Sequence, residues 1–427
     1  MAVMLNLYLN NFYLKLFNVF MFIPSKKTAE IIAGKYSTPV FVTDAGTIAG
    51  QAQKLLEAFK DFNIKIFYAI KANYNPYIVR IIKENGIYGI DAVSPNEVQL
   101  ALDLGYLPEQ IIFTPNNATN EEIQKIGNWE ILQNLGSLSE IRRFCRFFPG
   151  GKISIRICPE VGAGEFDQII TGPLESKFGL DLSDLEEAKT ICNEYNVSIV
   201  GIHSHIGSGF YRALEFKKSI EAVCIVAEQF TDLKFLDFGG GLGVSYHPGD
   251  TPINLKEFAL AIKEPLDKFN KKQKKSIEIR IEPGKFLVSE STVLLAQINT
   301  VKEKGGRLFV GLNTGLNHLI RPAMYGAYHH IVNLSEIDNT NGLIKNVVVV
   351  GNICETCDIL NKEIKITNPK EGDIVAILVS GGYGSAMSSN YNMRPFGSEV
   401  LVKNKEIILI KRRQTYQEMM SLFEDFI

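Results

Sequence analysis

The sequence predicts two bodies of structure: an α/β barrel of the (β/α)8 TIM type, then a C-terminal antiparallel β-sheet domain. Three observations carry this. From residue 64 to residue 284, short β-branched runs alternate with helical patterns. Eight such runs occur, with seven helical patterns between them. After residue 290 the helical patterns stop, and strand runs follow one another across turn residues. Strand–helix alternation sets strands in parallel, and eight units are the number that closes a barrel. An open doubly wound sheet fits the same alternation.

The elements follow in order. Residues 1–22, MAVMLNLYLNNFYLKLFNVFMF, are apolar, but no Lys or Arg opens them and Asn6, Asn10, Asn11, Lys15 and Asn18 interrupt them. No A-x-A follows, so neither an export signal nor a membrane span is expected. A peripheral helix fits them, as does a true start at Met21. PVFVTD (39–44) precedes the barrel and is expected to join the later sheet. The barrel runs are IKIFYAIK (64–71), YGIDAV (88–93), QIIFT (110–114), EILQNL (130–135), KISIRIC (152–158), VSIVGIHSHIG (197–207), FLDFGGG (235–241) and IEIRIEPG (277–284). Beyond them, TVLLAQINTVKEK, GRLFVGLN, IKNVVVVG, KEIKI, DIVAILVSG, SEVLVKN and EIILIKR are strands with turn residues between, the pattern of an antiparallel sheet. The expected division is an extension over 1–22, a barrel over 45–286, and a sheet domain built from 23–44 with 287–427.

Composition narrows the class of function. The chain has 427 residues, 46% hydrophobic and 22% charged, with a formal net charge of −2. No basic surplus argues for nucleic acid, and no acidic block argues for disorder. Six cysteines in 427 residues are too few for a disulfide framework, so a reducing, cytoplasmic setting is expected.

If the barrel closes, the polar residues at its strand ends gather at one mouth. These are Lys71, Asp91, Thr114, Arg156, His205, Gly239 to Gly241 and Glu282. Lys71 ends an apolar run, where a buried ammonium is costly. It is either a snorkelling or ion-paired lysine, or an amine poised for a Schiff base. DFGGGLG (237–243) is either a tight strand–helix turn or a place where backbone N–H groups approach a phosphate. HIGSG (205–209), with Ser208, is a second small-residue turn on the neighbouring strand, and the two together suggest a phosphate cup. Glu282 is either a salt-bridge partner or the acid on a protonated ring nitrogen. His205 is either a hydrogen-bonded core residue or a flat ring against a flat cofactor. An amine, a phosphate cup and an acid in one mouth are the parts that pyridoxal 5′-phosphate requires.

These residues resemble the fold-type III pyridoxal-phosphate decarboxylases, the diaminopimelate-decarboxylating members above all. The resemblance runs from about Thr38 to Val402. It rests on FYAIKAN, GIDAVSPNEV, SKFG, HSHIGSG, DFGGGLG, EPGKF, GLNHLIRPAMYGAYHHI, GNICETCD and GGYGSAMSSNYNMRP taken together. It implies an alanine-racemase-like fold and decarboxylation of meso-2,6-diaminopimelate to L-lysine, the last step of lysine biosynthesis. It implies that Lys71 holds the cofactor, that His205 stacks on its ring, and that Ser208 and Gly239, Gly240 and Gly241 take its phosphate. Glu282 meets the ring nitrogen, Asp91 lines the cofactor site, and Tyr383 reaches the cofactor from the sheet domain. Arg321 and Tyr325 hold substrate carboxylate, Glu355 reads its distal amino group, and Cys354 is a catalytic cysteine. A head-to-tail homodimer then shares its active sites, with Cys354, Glu355 and Tyr383 serving the partner copy.

Two departures stand out. Lys285 occupies the place where the family usually has a substrate-binding Arg, keeping the charge without the bidentate fork. The cysteine motif reads Cys354-Glu355-Thr356-Cys357-Asp358, with Cys357 unusual. The C-x-x-C could mean zinc or redox chemistry, but no second Cys pair exists for zinc, and ILNKEIKI (359–366) reads as a strand rather than the helix a redox motif opens. Cys357 is expected to be a bystander, and no metal is expected. The alternative function is a related decarboxylase of another amino acid, such as carboxynorspermidine, ornithine, arginine or a specialised-metabolite precursor. A non-catalytic pyridoxal-phosphate carrier lacks the long C-terminal half.

Overall fold

The computed structural model describes residues 21–158 and 176–424. The apolar stretch at 1–20 lies outside them. Two compact units emerge: one built from Gly50–Val244 and Pro252–Phe286, the other from the residues up to Ala49, Ser245–Thr251 and the residues from Leu287 on.

In the first unit, eight parallel strands form a closed barrel. With Val40–Asp44 as β1, they are β2 (Ile64–Ala69), β3 (Gly89–Ala92), β4 (Ile111–Phe113), β5 (Leu132–Leu135), β6 (Lys152–Arg156), β7 (Ser198–His203), β8 (Phe235–Asp237) and β9 (Glu278–Ile281). The closing pair sets Ile64, Lys65 and Ile66 against Ile279, Arg280 and Ile281. All eight expected runs are strands, but each is shorter than its apolar run, because ladder pairing stops where the chain bends into the loops. Four of the helices begin at side-chain caps: Asn75, Ser94, Thr119 and Ser137 each accept a first-turn N–H. Their apolar faces, such as Ile78, Val79, Ile81 and Ile82, are buried.

Phe67, Ile112, Val200 and Phe235 pack together as one core cluster. Glycine makes room for them. A Cβ on Gly201 of β7 would lie 2.1 Å from the Phe235 ring, and one on Gly89 of β3 would lie 2.8 Å from Phe67. The Arg280 guanidinium lies 3.6 Å from the Phe235 ring centroid, and its Nε lies 2.8 Å from Glu278.

The second unit is a nine-stranded sheet. It contains β1 and then β10 (Thr292–Lys304), β11 (Arg307–Leu312), β12 (Ile331–Asn333), β13 (Ile344–Val350), β14 (Ile359–Thr367), β15 (Ile374–Ile377), β16 (Ser398–Lys403) and β17 (Glu406–Lys411). β1 lies between β10, antiparallel, and β16, parallel. β11 and β13 are also parallel, joined by the long crossover through residues 313–343. The sheet is therefore mostly antiparallel with two parallel pairs. Alternation alone cannot set strand direction when a strand is delivered from the other end of the chain or after a long connection. Phe41, Leu294, Val310, Val347, Leu360 and Val375 belong to its buried core. Among the described residues, no helix is long and apolar enough to cross a membrane.

Candidate active site

The strand ends of the barrel bring titratable side chains together. Lys71 does not end β2. It sits in a one-turn 3-10 helix, Ile70–Ala72, just past the end of the strand. The side chain is 39% exposed rather than buried, with its Nζ 3.5 Å from Oδ2 of the buried Asp91 on β3. The expected burial cost is avoided by the turn and by this carboxylate. His203 ends β7, and its Nε2 lies 3.1 Å from Oε2 of Glu282, one residue beyond β9. The partner of Glu282 is thus an imidazole, not the Arg or Lys that a salt bridge would use. Asp237 ends β8 and accepts the Gly239 N–H at 2.9 Å. Arg156 ends β6, buried, with its guanidinium 4.5 Å over Phe178. Lys285 is buried one turn past Glu282.

Burial dominates the electrostatics. It lowers the His203 pKa to about 4 and pushes that of His205 well below its usual value, so both rings are neutral. Burial, and then the neighbouring Asp91 charge, raise Glu282 above the carboxylate range. Burial, and then the Glu282 charge, raise Asp237 to about 8. Oε1 of Glu282, Oδ1 of Asp91 and Oδ2 of Asp237 are buried without a hydrogen-bond partner among the described residues. Such a cluster favours an incoming positive charge.

The signs for folding follow. An acid whose pKa rises on folding stabilises below its ordinary value and loses that contribution as pH climbs through the raised one. The neutral histidines act oppositely, below their ordinary 6.5. Between pH 6.5 and 8 the acids decide, so the coenzyme-free protein is expected to lose stability by about 1 kcal/mol or more. Urea unfolding at stepped pH measures this, and Asp237→Asn should flatten the slope. An unchanged slope in the variant overturns the assignment.

The two glycine turns meet. The N–H groups of Gly209 and Phe210 donate to Gly241 O at 2.9 and 3.0 Å, and the Gly243 N–H donates back to Phe210 O at 3.0 Å. Gly239 and Gly241 have φ of 65° and 107°. A Cβ on Gly240 would lie 2.2 Å from Glu282 O, and one on Gly241 would lie 2.1 Å from the Phe210 ring. Only glycine fits there. Ser208 sits half-buried in this pair of turns. The Gly240 N–H donates to His205 Nδ1 at 3.3 Å, which puts the imidazole proton on Nε2.

His203, Asp237 and Glu282 also have the composition of a cation cluster, their ligating atoms within 4.8 Å of one another. Either an ion or a protonated ring nitrogen satisfies it. The adjacent glycine cradle and the amine of Lys71 favour the ring. These residues fit pyridoxal phosphate: an amine at the mouth, a cradle closed to any Cβ, and a buried acid with an unused oxygen.

Sequence reasoning passed over His203 and Asp237. The two-residue period of a strand offered a signal: His203 stands two before His205, and Asp237 two before Gly239.

The sheet unit holds the remaining candidates. Arg321 opens a short helix, Arg321–Tyr325, and is buried. His329 Nδ1 lies 2.9 Å from the carbonyl of Leu378, which only accepts, so Nδ1 carries the proton. Nε2 then accepts from Arg321 Nη1 at 3.0 Å. The guanidinium also lies 4.7 Å over the Tyr246 ring. His329 is a third residue the sequence reading missed. Tyr325 is half-buried before Gly326, whose φ is 69°. Tyr383 sits in a loop where its own φ is 58°. Cys354, Glu355 and Cys357 are all exposed on the turn between β13 and β14. Asp358 holds that turn from beneath, accepting from the N–H groups of Leu316 and Ile353, both at 2.7 Å.

Comparison with known proteins agrees with this chemistry. Residues 45–289 match the family described as pyridoxal-dependent decarboxylase, pyridoxal binding domain. The diaminopimelate decarboxylase of Methanothermobacter thermautotrophicus is 36% identical over 399 residues, covering 91% of this chain and 92% of that protein. The Aquifex aeolicus diaminopimelate decarboxylase is 35% identical over 399 residues, covering 90% and 91%. The crystal structure of diaminopimelate decarboxylase from Helicobacter pylori complexed with L-lysine aligns with a TM-score of 0.86 at 30% identity, covering 93% of this chain and 100% of that one. With an amine, a glycine cradle and a buried acid at the barrel mouth, and this likeness along nearly its whole length, the chain belongs to the diaminopimelate decarboxylase family of pyridoxal-phosphate-dependent enzymes.

Proposed function

We propose that this chain converts meso-2,6-diaminopimelate to L-lysine and carbon dioxide, with pyridoxal 5′-phosphate as coenzyme. The observation that carries the reading is the barrel mouth where Lys71 meets Asp91, Glu282 meets His203, and two glycine turns bond to each other. When bound, the coenzyme supplies an electron sink for the pair left behind at the α-carbon.

The chain's own residues do the rest. Lys71 offers the amine that would hold the coenzyme. Asp91, 3.5 Å away, accepts its charge. Gly239, Gly240, Gly241 and Ser208 take the phosphate. His205, held at Nδ1 by the Gly240 N–H, would lie against the ring. Glu282 has one oxygen beside His203, and its other, buried and without a hydrogen-bond partner among the described residues, would receive the coenzyme's ring nitrogen. Arg321 and Tyr325, with Lys285, bind carboxylate. Glu355 binds the distal ammonium, Tyr383 contacts the coenzyme, and Cys354 returns a proton to the α-carbon.

The relatives supply the substrate: the curated proteins are named diaminopimelate decarboxylase, and a solved one carries L-lysine. Lys285 favours the second reading, a related decarboxylase of another amino acid, since Lys cannot reproduce an Arg fork. A homodimer with shared active sites and a cytoplasmic setting complete the proposal. The test is carbon dioxide release from meso-diaminopimelate, lysine, ornithine and arginine with the coenzyme present. Turnover of diaminopimelate alone is expected. Turnover of ornithine without diaminopimelate overturns the substrate.

A further inference from the structure

The segment Tyr391–Arg394 reaches the Cys354–Glu355 turn at three successive points. The Tyr391 hydroxyl donates to Oε1 of Glu355. Asn392 Oδ1 accepts the Cys354 N–H at 2.8 Å. Arg394 Nη2 donates to the Asn352 carbonyl at 3.0 Å. The segment can do this because it coils tightly: Asn392 and Met393 both have φ of 54°, a left-handed conformation that Asn tolerates better than most residues. Asn390 closes the coil, donating to Arg394 O at 2.9 Å.

The turn is thus held from two sides, by the Asp358 carboxylate beneath and by this segment outside. Without the outer brace, an exposed glutamate on a turn samples several rotamers, and ordering it on substrate binding costs affinity. A tyrosine bonded to Oε1 fixes the carboxylate and leaves Oε2 for a second donor. The carboxylate in turn raises the tyrosine pKa, which keeps the phenol a donor.

We propose that Tyr391 is a specificity-positioning residue: it presents Glu355 to the ammonium of the substrate's far end, with Asn392 and Arg394 fixing the turn beneath it. This rests on the reading of Glu355 as the ligand of that ammonium. Tyr391 acts through Glu355 and not on the reacting atoms, so its effect falls on KM.

The test is a double-mutant cycle on the holoenzyme with meso-diaminopimelate: wild type, Tyr391→Phe, Glu355→Gln and both together. Tyr391→Phe is expected to raise KM about 5- to 20-fold with kcat changed less than about 3-fold, the signature of lost binding rather than lost chemistry. Glu355→Gln should raise KM more. Adding Tyr391→Phe to Glu355→Gln should move KM less than about 2-fold, because the residue it positions is already altered. Independent, multiplying effects overturn the proposal, as does a fall in kcat at constant KM. If Glu355→Gln raises KM and Tyr391→Phe does not, the brace alone fails. If Glu355→Gln leaves KM unmoved, the reading of Glu355 fails and takes the brace with it.

Discussion

Lys71→Ala is expected to abolish turnover, by at least about 1000-fold, and to remove the visible absorbance of lysine-bound coenzyme. The fold should survive, since Lys71 lies on a one-turn helix with 39% of its side chain exposed, so truncation leaves no core cavity. Charge and chemistry can be separated. Lys71→Arg keeps a cation near Asp91 but cannot form a covalent bond to a carbonyl. It should fold normally, lack the band and lack activity. Lys285 is the useful control, a second lysine on the same unit that is buried close after Glu282. Borohydride reduction followed by peptide mass mapping tells the two apart. The coenzyme mass should appear on the Lys71 peptide in wild type and on neither peptide in Lys71→Arg. Coenzyme trapped on Lys285 would overturn the assignment.

The barrel was legible because its signal is repeated. Eight β-branched runs with seven helical patterns between them leave few other topologies, and the pattern does not depend on any one residue. What the sequence hid lies at the ends of those runs. An apolar run says where a strand is buried, not where its ladder stops. IKIFYAIK reads as one strand, yet pairing ends at Ala69 and the next residues coil. That single turn takes Lys71 off the strand and leaves its side chain half-buried beside a carboxylate.

Partners across strands were equally hidden. His203 and Glu282 are 79 residues apart, and only barrel closure sets them 3.1 Å from each other. Read alone, Glu282 was either a salt-bridge acid or the partner of a ring nitrogen. In place, burial and Asp91 make it a carboxyl reluctant to ionise. The sheet unit shows the same limit in another form. GAYHHI contains two adjacent histidines of equal appearance. Only the fold gives His329 the Leu378 carbonyl that fixes its proton and so frees Nε2 for Arg321. His330 instead lies 2.7 Å from the Tyr328 hydroxyl. The glycine cradle was legible in part, because consecutive glycines at strand ends have few other uses. That the two turns bond to each other required coordinates.

Cys354→Ala should lower kcat by about 100- to 10,000-fold, the range for losing a positioned proton donor, while coenzyme binding persists. Cys357→Ala should stay within about 3-fold of wild type. Both thiols are exposed on one turn, three positions apart, so accessibility does not distinguish them. What does is the Asn392 side chain, which holds the Cys354 N–H and so fixes that residue's place on the turn. Equal damage from both variants would point to a coupled pair and end the proton-donor role. The proposed shared-site homodimer adds a sharper measurement. Lys71→Ala and Cys354→Ala, each inactive, can be mixed under conditions that let subunits exchange. In a mixed twofold dimer with shared sites, one site gathers both defects and the other none. Half of the dimers are then mixed and half of their sites intact, so activity should return to about one quarter of wild type. Sites built within a single copy predict no recovery at any mixing ratio. Recovery would thus place Lys71 and Cys354 of different copies in one site, and its absence after proven exchange would confine each site to its own chain.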